Sequence, residues 1–115
     1  MAIERIDPGV RFSQAVGYGN LVFLAGHTSD DAAAGVYEQT REVLGQIDAH
    51  LAAAGSDKTR LLSVSIWLPD ISTFAEMNRA WDEWVDTSHL PARATVEARL
   101  ASPAYKVEIA AVAAR

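Results

Sequence analysis

The sequence contains no cysteine. That excludes disulfides, thiolate metal sites, iron–sulfur clusters and a cysteine nucleophile. Glycine and proline are sparse, at 7 and 4 of 115 residues, so collagen-like and low-complexity organisation are excluded. Basic residues are in the minority: 10 Lys and Arg against 15 Asp and Glu give a net charge of −5. An acidic surface repels phosphate backbones, and no run of Lys or Arg compensates, so nucleic acid is not an expected partner. No apolar run approaches the length of a membrane span, so no membrane partner is expected either. The opening Met1-Ala2-Ile3-Glu4-Arg5-Ile6-Asp7 is charged and is not a signal peptide. A cytoplasmic location is the default expectation.

What is present is a globular composition, 50% hydrophobic and 22% charged. The length suits a single domain over residues 1–115. Gly17-Tyr18-Gly19-Asn20 lies between the apolar runs Phe12–Val16 and Leu21–Gly26 and predicts a tight hairpin. Val36, Thr40, Val43, Leu44, Ile47 and Leu51 recur at helical spacing, and Gly55 supplies a stop. Leu61–Leu68 reads as a strand with Leu62, Val64, Ile66 and Leu68 on one face. A second helix is expected from Ser72 or Thr73, with Thr73 and Glu76 as a capping box and Arg79 and Glu83 as an ion pair. Its stripe of Phe74, Met77, Trp81, Trp84 and Val85 reads as core. Ala92–Leu100 and Lys106–Ala114 are the last expected strands, joined by a turn holding Ser102-Pro103.

This order predicts an α+β fold, with two helices on one face of a mixed sheet. Two helices cover only one face. The final strand is apolar on both, with Val107, Ile109 and Ala111 opposite Ala110 and Val112. The uncovered face therefore needs another apolar surface, and a closed homo-oligomeric ring supplies it economically.

Familiar motifs fail. Gly17-Tyr18-Gly19 lacks the third glycine of a dinucleotide fingerprint, and neither a Walker motif nor a Gly-x-Ser-x-Gly elbow occurs. His27, His50 and His89 lack metal-ligand spacing and read as surface or loop histidines, so no metal is expected. His50 falls late in the first helix, where a cation is favoured. His27 ends a strand at a loop, where sites are common. Arg93 starts a strand behind Pro91 and shares a face with Thr95, Glu97 and Arg99. Its guanidinium can clamp a carboxylate; the duller reading is a solvated face or a cross-strand ion pair. Glu108 stands in the apolar run Val107–Val112. A desolvated carboxylate there suits proton transfer; the alternatives are a salt bridge, with Arg93 as one partner, or an edge position open to water.

Taken together, Phe12–Val16, Asn20–Gly26, Asp70–Asn78, Pro91-Ala92-Arg93-Ala94-Thr95-Val96-Glu97 and Lys106-Val107-Glu108-Ile109 resemble the RidA (YjgF-type) family of enamine/imine deaminases. Trp81–Val85 and Val107–Arg115 look most like its YoaB-type branch. The resemblance implies a chorismate-mutase-like subunit, three of which close their sheets into a barrel with helices outside and sites between subunits. It implies cofactor-free hydrolysis of 2-imino acids, or their enamines, to 2-keto acids and ammonia. Such imines are released by pyridoxal-phosphate enzymes and amino-acid oxidases. Arg93 matches the arginine that binds the substrate carboxylate, Glu108 the glutamate that positions water, and Asn78 a neighbouring asparagine. The family's tyrosine, serine and cysteine are replaced by Phe12, Ala25 and Thr95. The first two changes remove hydroxyls, which implies either slower aminoacrylate turnover or a shift toward larger, more hydrophobic imino acids. His27 replaces a neutral polar residue and is a candidate for the lost proton donor. The competing reading is a non-catalytic trimer that binds small carboxylates such as 2-keto acids; it needs Arg93 but not Glu108. The ribonuclease label attached to some relatives fits poorly with the acidic balance, and a shared fold does not argue for chorismate mutase chemistry.

Overall fold

The computed structural model describes residues 1–115. The strands are β1 (Ile3–Pro8), β2 (Ser13–Tyr18), β3 (Leu21–His27), β4 (Leu61–Leu68), β5 (Ala92–Glu97) and β6 (Glu108–Ala114). The helices are α1 (Val36–Ala53) and α2 (Phe74–Trp84), each following a strand on its way back to the sheet. All six strands form one sheet in the order β1-β2-β3-β6-β4-β5, and only β4 and β5 run parallel. The α+β expectation holds.

Local chemistry accounts for most of these elements. The β2–β3 hairpin closes with Tyr18 opposite Leu21, and Gly19 takes a φ of 59° that a side chain would resist. In α1, Val43, Leu44, Ile47 and Leu51 are fully buried against the sheet. Each such burial contributes about 1.5–3 kcal/mol. The helix ends in a Schellman motif: Gly55 has a φ of 80°, its N–H donates to Ala52 O, and Ser56 N–H donates to Leu51 O at 2.8 Å. The core between helices and sheet also takes Val64, Ile66 and Leu68 from β4, Val107, Ile109, Ala111 and Ala113 from the last strand and its approach, and Met77 and Trp81 from α2.

Five sequence expectations change. Residues 3–8, read only as a charged terminus, form β1, held by pairing with β2 rather than by burial. The strand expected to reach Leu100 ends at Glu97, and residues 98–105 are irregular. β5 and β6, expected to be joined by a turn, are not neighbours: β4 lies between them, because the chain crosses over and β6 inserts beside β3. Leu62 leaves the core and is 48% exposed, because a register shift between Leu61 and Ser63 puts Leu61 inward instead. Thr73 makes no capping-box bond; its hydroxyl donates to Asp70 O, and Asp70 caps a short 3₁₀ turn at Ile71–Thr73 by accepting from Ser72 N–H.

The sheet face away from the helices is uncovered. Phe23 of β3 lies directly across from Val112 of β6 and is 44% exposed, while Ser63 and Ser65 of β4 share that face. No helix is long and apolar enough to cross a membrane.

Candidate active site

Two clefts gather most of the residues singled out above, and they lie on opposite faces of the sheet. Arg93 is paired in register with Val64, a core residue, so it projects toward the helix side at the sheet's outer edge. There its guanidinium lies 5.0 Å from the Trp81 ring centre and 5.8 Å from that of Phe74. Stacking on aromatic faces fixes the fork in place while leaving its N–H donors free. Asn78, Trp81, Asp82, Val85, Leu90 and Arg93 line a cleft of about 450 Å³. Burial pulls the guanidinium below its ordinary pKa range, opposed by the nearby Asp82 carboxylate. It remains charged.

Glu108 is paired in register with Trp67 on the uncovered face. Phe12, Ala25, Gly26, Thr28, Tyr105 and Glu108 line a cleft of about 320 Å³ there. A local slip in the strand pairing builds it. Leu24 pairs with Ala111 and His27 with Ile109, so β3 carries one residue more than β6 over this stretch. The resulting bulge places both Ala25 and Gly26 against the cleft. Gly26 is required by close approach. A Cβ on it would overlap a Glu108 carboxylate oxygen and stand 2.9 Å from the carboxylate carbon.

The expected Arg93–Glu108 ion pair does not form, since β4 separates the strands and the two side chains face opposite ways. The ion pairs of the chain involve neither residue. Arg79 and Glu83 do not pair either. Glu83 accepts from the Tyr37 hydroxyl, and Arg79 lies 3.9 Å from the Tyr37 ring centre. Thr95 lines neither cleft, and its hydroxyl oxygen is buried without a hydrogen-bond partner. His27 is the largest departure. Read as a surface or loop histidine and a candidate for the lost proton donor, it is 3% exposed and points into the helix side, where Nε2 is 2.9 Å from His50 Nδ1. Burial, with His50 adding to it, lowers its pKa against the opposing pull of the Ala25 carbonyl. It donates nothing to the cleft. Tyr105, Thr28 and Gly26 were missed in the sequence. Gly26 alone carried a signal, since a glycine inside a strand pattern marks a bulge or a close approach.

Residues 2–115 match the protein family described as endoribonuclease L-PSP. The RutC family protein YoaB of Escherichia coli (strain K12) is 46% identical over 114 residues, covering 99% of this chain and 99% of its own. A RutC family protein of Haemophilus influenzae is 47% identical over 114 residues, covering 98% of both. Among solved structures, a member of the YjgF protein family from Neisseria meningitidis superposes with a TM-score of 0.91 at 45% identity, covering 100% of this chain and 96% of that one. The likeness runs the length of the chain and so includes both clefts.

Proposed function

The chain belongs to the YjgF/RidA family, described by its family match as endoribonuclease L-PSP, and from that membership we propose that it is a cofactor-free deaminase of reactive 2-imino acids. The observation that carries this reading is the state of Arg93. It is held by two aromatic rings, bound in no ion pair, and turned into a cleft beside Asn78. A half-buried guanidinium with free donors fits a small planar carboxylate through two parallel hydrogen bonds.

One protomer cannot bring Arg93 and Glu108 to one substrate, because the sheet stands between them. The site is therefore composite: the Arg93 edge of one copy meets the open face of the next. Three copies closing into a ring cover the apolar face around Phe23 and Val112 and place the cleft at each junction. Arg93 fixes the substrate carboxylate, which lowers the entropic cost of attack at the neighbouring carbon. An enamine first takes a proton at carbon and becomes the iminium. Water held by Glu108 adds to the imine carbon while Glu108 receives its proton. Glu108 passes that proton to the nitrogen of the resulting carbinolamine; the C–N bond then breaks as the hydroxyl returns its own proton to Glu108 and becomes the keto oxygen, and ammonia leaves with the 2-keto acid. Phe12 and Ala25 bring no hydroxyl to the Glu108 cleft, which favours imino acids with larger apolar side chains. The reaction belongs in the cytoplasm, beside the enzymes that release imines.

The test generates imines from several amino acids with an amino-acid oxidase and traps the survivors with semicarbazide. Wild type should deplete the trapped imine, most for large apolar side chains. Arg93→Ala should lower the rate at least about 100-fold, as loss of a charged anchor and of substrate alignment does. Full activity in Arg93→Ala would remove the carboxylate clamp. An inactive wild type that still binds 2-keto acids through Arg93 would leave the binding-protein reading in its place.

A further inference from the structure

One face of α1 carries a row of polar side chains that the mechanism does not use. Gln39, Glu42, Gln46 and His50 recur at intervals of three and four, so they form a single stripe. Each reaches a segment that builds the Glu108 cleft. The Ser29 hydroxyl donates to Glu42 at 2.5 Å, Gln46 Nε2 donates to Thr28 O at 3.1 Å, and His50 Nδ1 meets His27 Nε2 at 2.9 Å. Three successive turns of the helix thus hold three successive residues, 29, 28 and 27, at the exit of β3. Gln39 does the same for the other wall. Fully buried, it donates to Asp31 O and Ala104 O and accepts from Lys106 N–H, fixing both sides of Tyr105.

The protons of the histidine pair follow from their carbonyl partners. Ala25 O lies 2.6 Å from His27 Nδ1, and Gln46 O lies 3.0 Å from His50 Nδ1. A carbonyl only accepts, so both Nδ1 atoms carry hydrogen. The one His50 Nδ1–H is then shared between Gln46 O and His27 Nε2, which accepts it, and His27 is neutral. A proton on His27 Nε2 would set N–H against N–H and break the contact. The groups facing the pair are Asp7 from β1, 3.5 Å from His50 Nε2, and uncharged Ile109 across β6; Glu42 of α1 is engaged by the Ser29 hydroxyl.

We propose that this stripe is the positioning frame of the Glu108 cleft, and that the His27–His50 contact is its pH-sensitive member. The frame holds the bulge at Ala25–Gly26, and the bulge provides the notch in which the Glu108 carboxylate lies. None of these side chains touches substrate. The proposal rests on the deaminase reading for its consequence in catalysis, and on geometry alone for the coupling itself.

The experiment is NMR on the labelled full-length protein, following the ring nitrogens of His27, the Ala25 carbonyl and the Glu108 carboxyl carbon. The titration runs from about pH 8 to about pH 5, across the histidine range. His27 should be the neutral Nδ1–H form at the upper end. As the pair takes a proton, the Ala25 and Glu108 signals should move with the same midpoint as His27. In His50→Gln that shared step should vanish from the Glu108 signal. The kcat should fall on the order of tenfold, below the 100-fold that a full 1 Å misplacement costs, with KM unchanged because the Arg93 cleft is untouched. A Glu108 signal that ignores His27, or an Nε2–H tautomer at neutral pH, overturns the proposal. Coupled signals in a protein that hydrolyses no imine uphold the frame and sink the deaminase reading; an active enzyme with uncoupled signals does the reverse.

Discussion

The Arg93 cleft and the Glu108 cleft are built by different means. Arg93 stands on an edge strand, and its surroundings are side chains: Trp81 and Phe74 beneath the guanidinium, Asn78 and Leu90 around it. The Glu108 cleft is shaped by backbone, through the slip between β3 and β6 and the Cβ that Gly26 lacks. The first is a guanidinium held on its edge strand by aromatic side chains. The second depends on a register that α1 holds from behind. On the proposed reading, a clamp on one sheet face and a carboxylate on the other become one site only across a junction between copies.

The most demanding test of that division mixes two inactive variants. Arg93→Ala and Glu108→Gln should each be inactive alone. Refolded together in equal amounts, they should recover about a quarter of wild-type activity, since random closure of a ring pairs an intact Arg93 with an intact Glu108 at one junction in four. No recovery, with mixed oligomers shown by mass measurement, would mean that the two residues do not share a site.

Gly26→Ala should give the next largest effect. The added methyl overlaps the Glu108 carboxylate, so the carboxylate must move. The expected loss in kcat is about 10- to 100-fold, with carboxylate binding at Arg93 retained. Equal losses in kcat and in keto-acid affinity would show that the clefts are not separable.

The smallest effect is on stability. The pKa of His27 is lowered from 6.5 in the folded chain by burial. The unfolded chain therefore binds more protons between the two values, and stability falls as pH drops. The contribution is complete above about pH 6.5, the ordinary histidine value, and is lost as pH falls from there toward the folded pKa. Chemical denaturation across that window should show this slope, and His27→Gln should flatten it. An unchanged slope in the variant would place the pH dependence elsewhere.

Much of this was legible along the chain. The α1 stripe, the Gly19 turn, the stop at Gly55 and the two-sided apolarity of the last strand are local patterns, and the structure reproduces them. Phe12, Ala25 and Glu108 do share one cleft, and Asn78 does stand beside Arg93. What was not legible depended on partners distant in sequence. β1 shows no apolar alternation because it is stabilised by its ladder to β2. Leu62 was misplaced because a one-residue slip reverses the face that a strand pattern assigns, and His27, read as a surface or loop histidine, lies beyond the β3 bulge and pairs with buried Ile109.

The sequence by itself determined the periods: which segments coil, which extend, and which residue types are available for chemistry. Periodicity is set by sterics and burial over a few neighbouring residues, so it survives without knowledge of the rest. Only the tertiary structure decided that β6 inserts between β3 and β4, that Arg93 and Glu108 therefore face opposite ways, and that His27 turns inward to meet His50. Strand order and register are chosen by the joint burial of one core and the pairing of main-chain groups far apart in sequence, and no local pattern contains that choice.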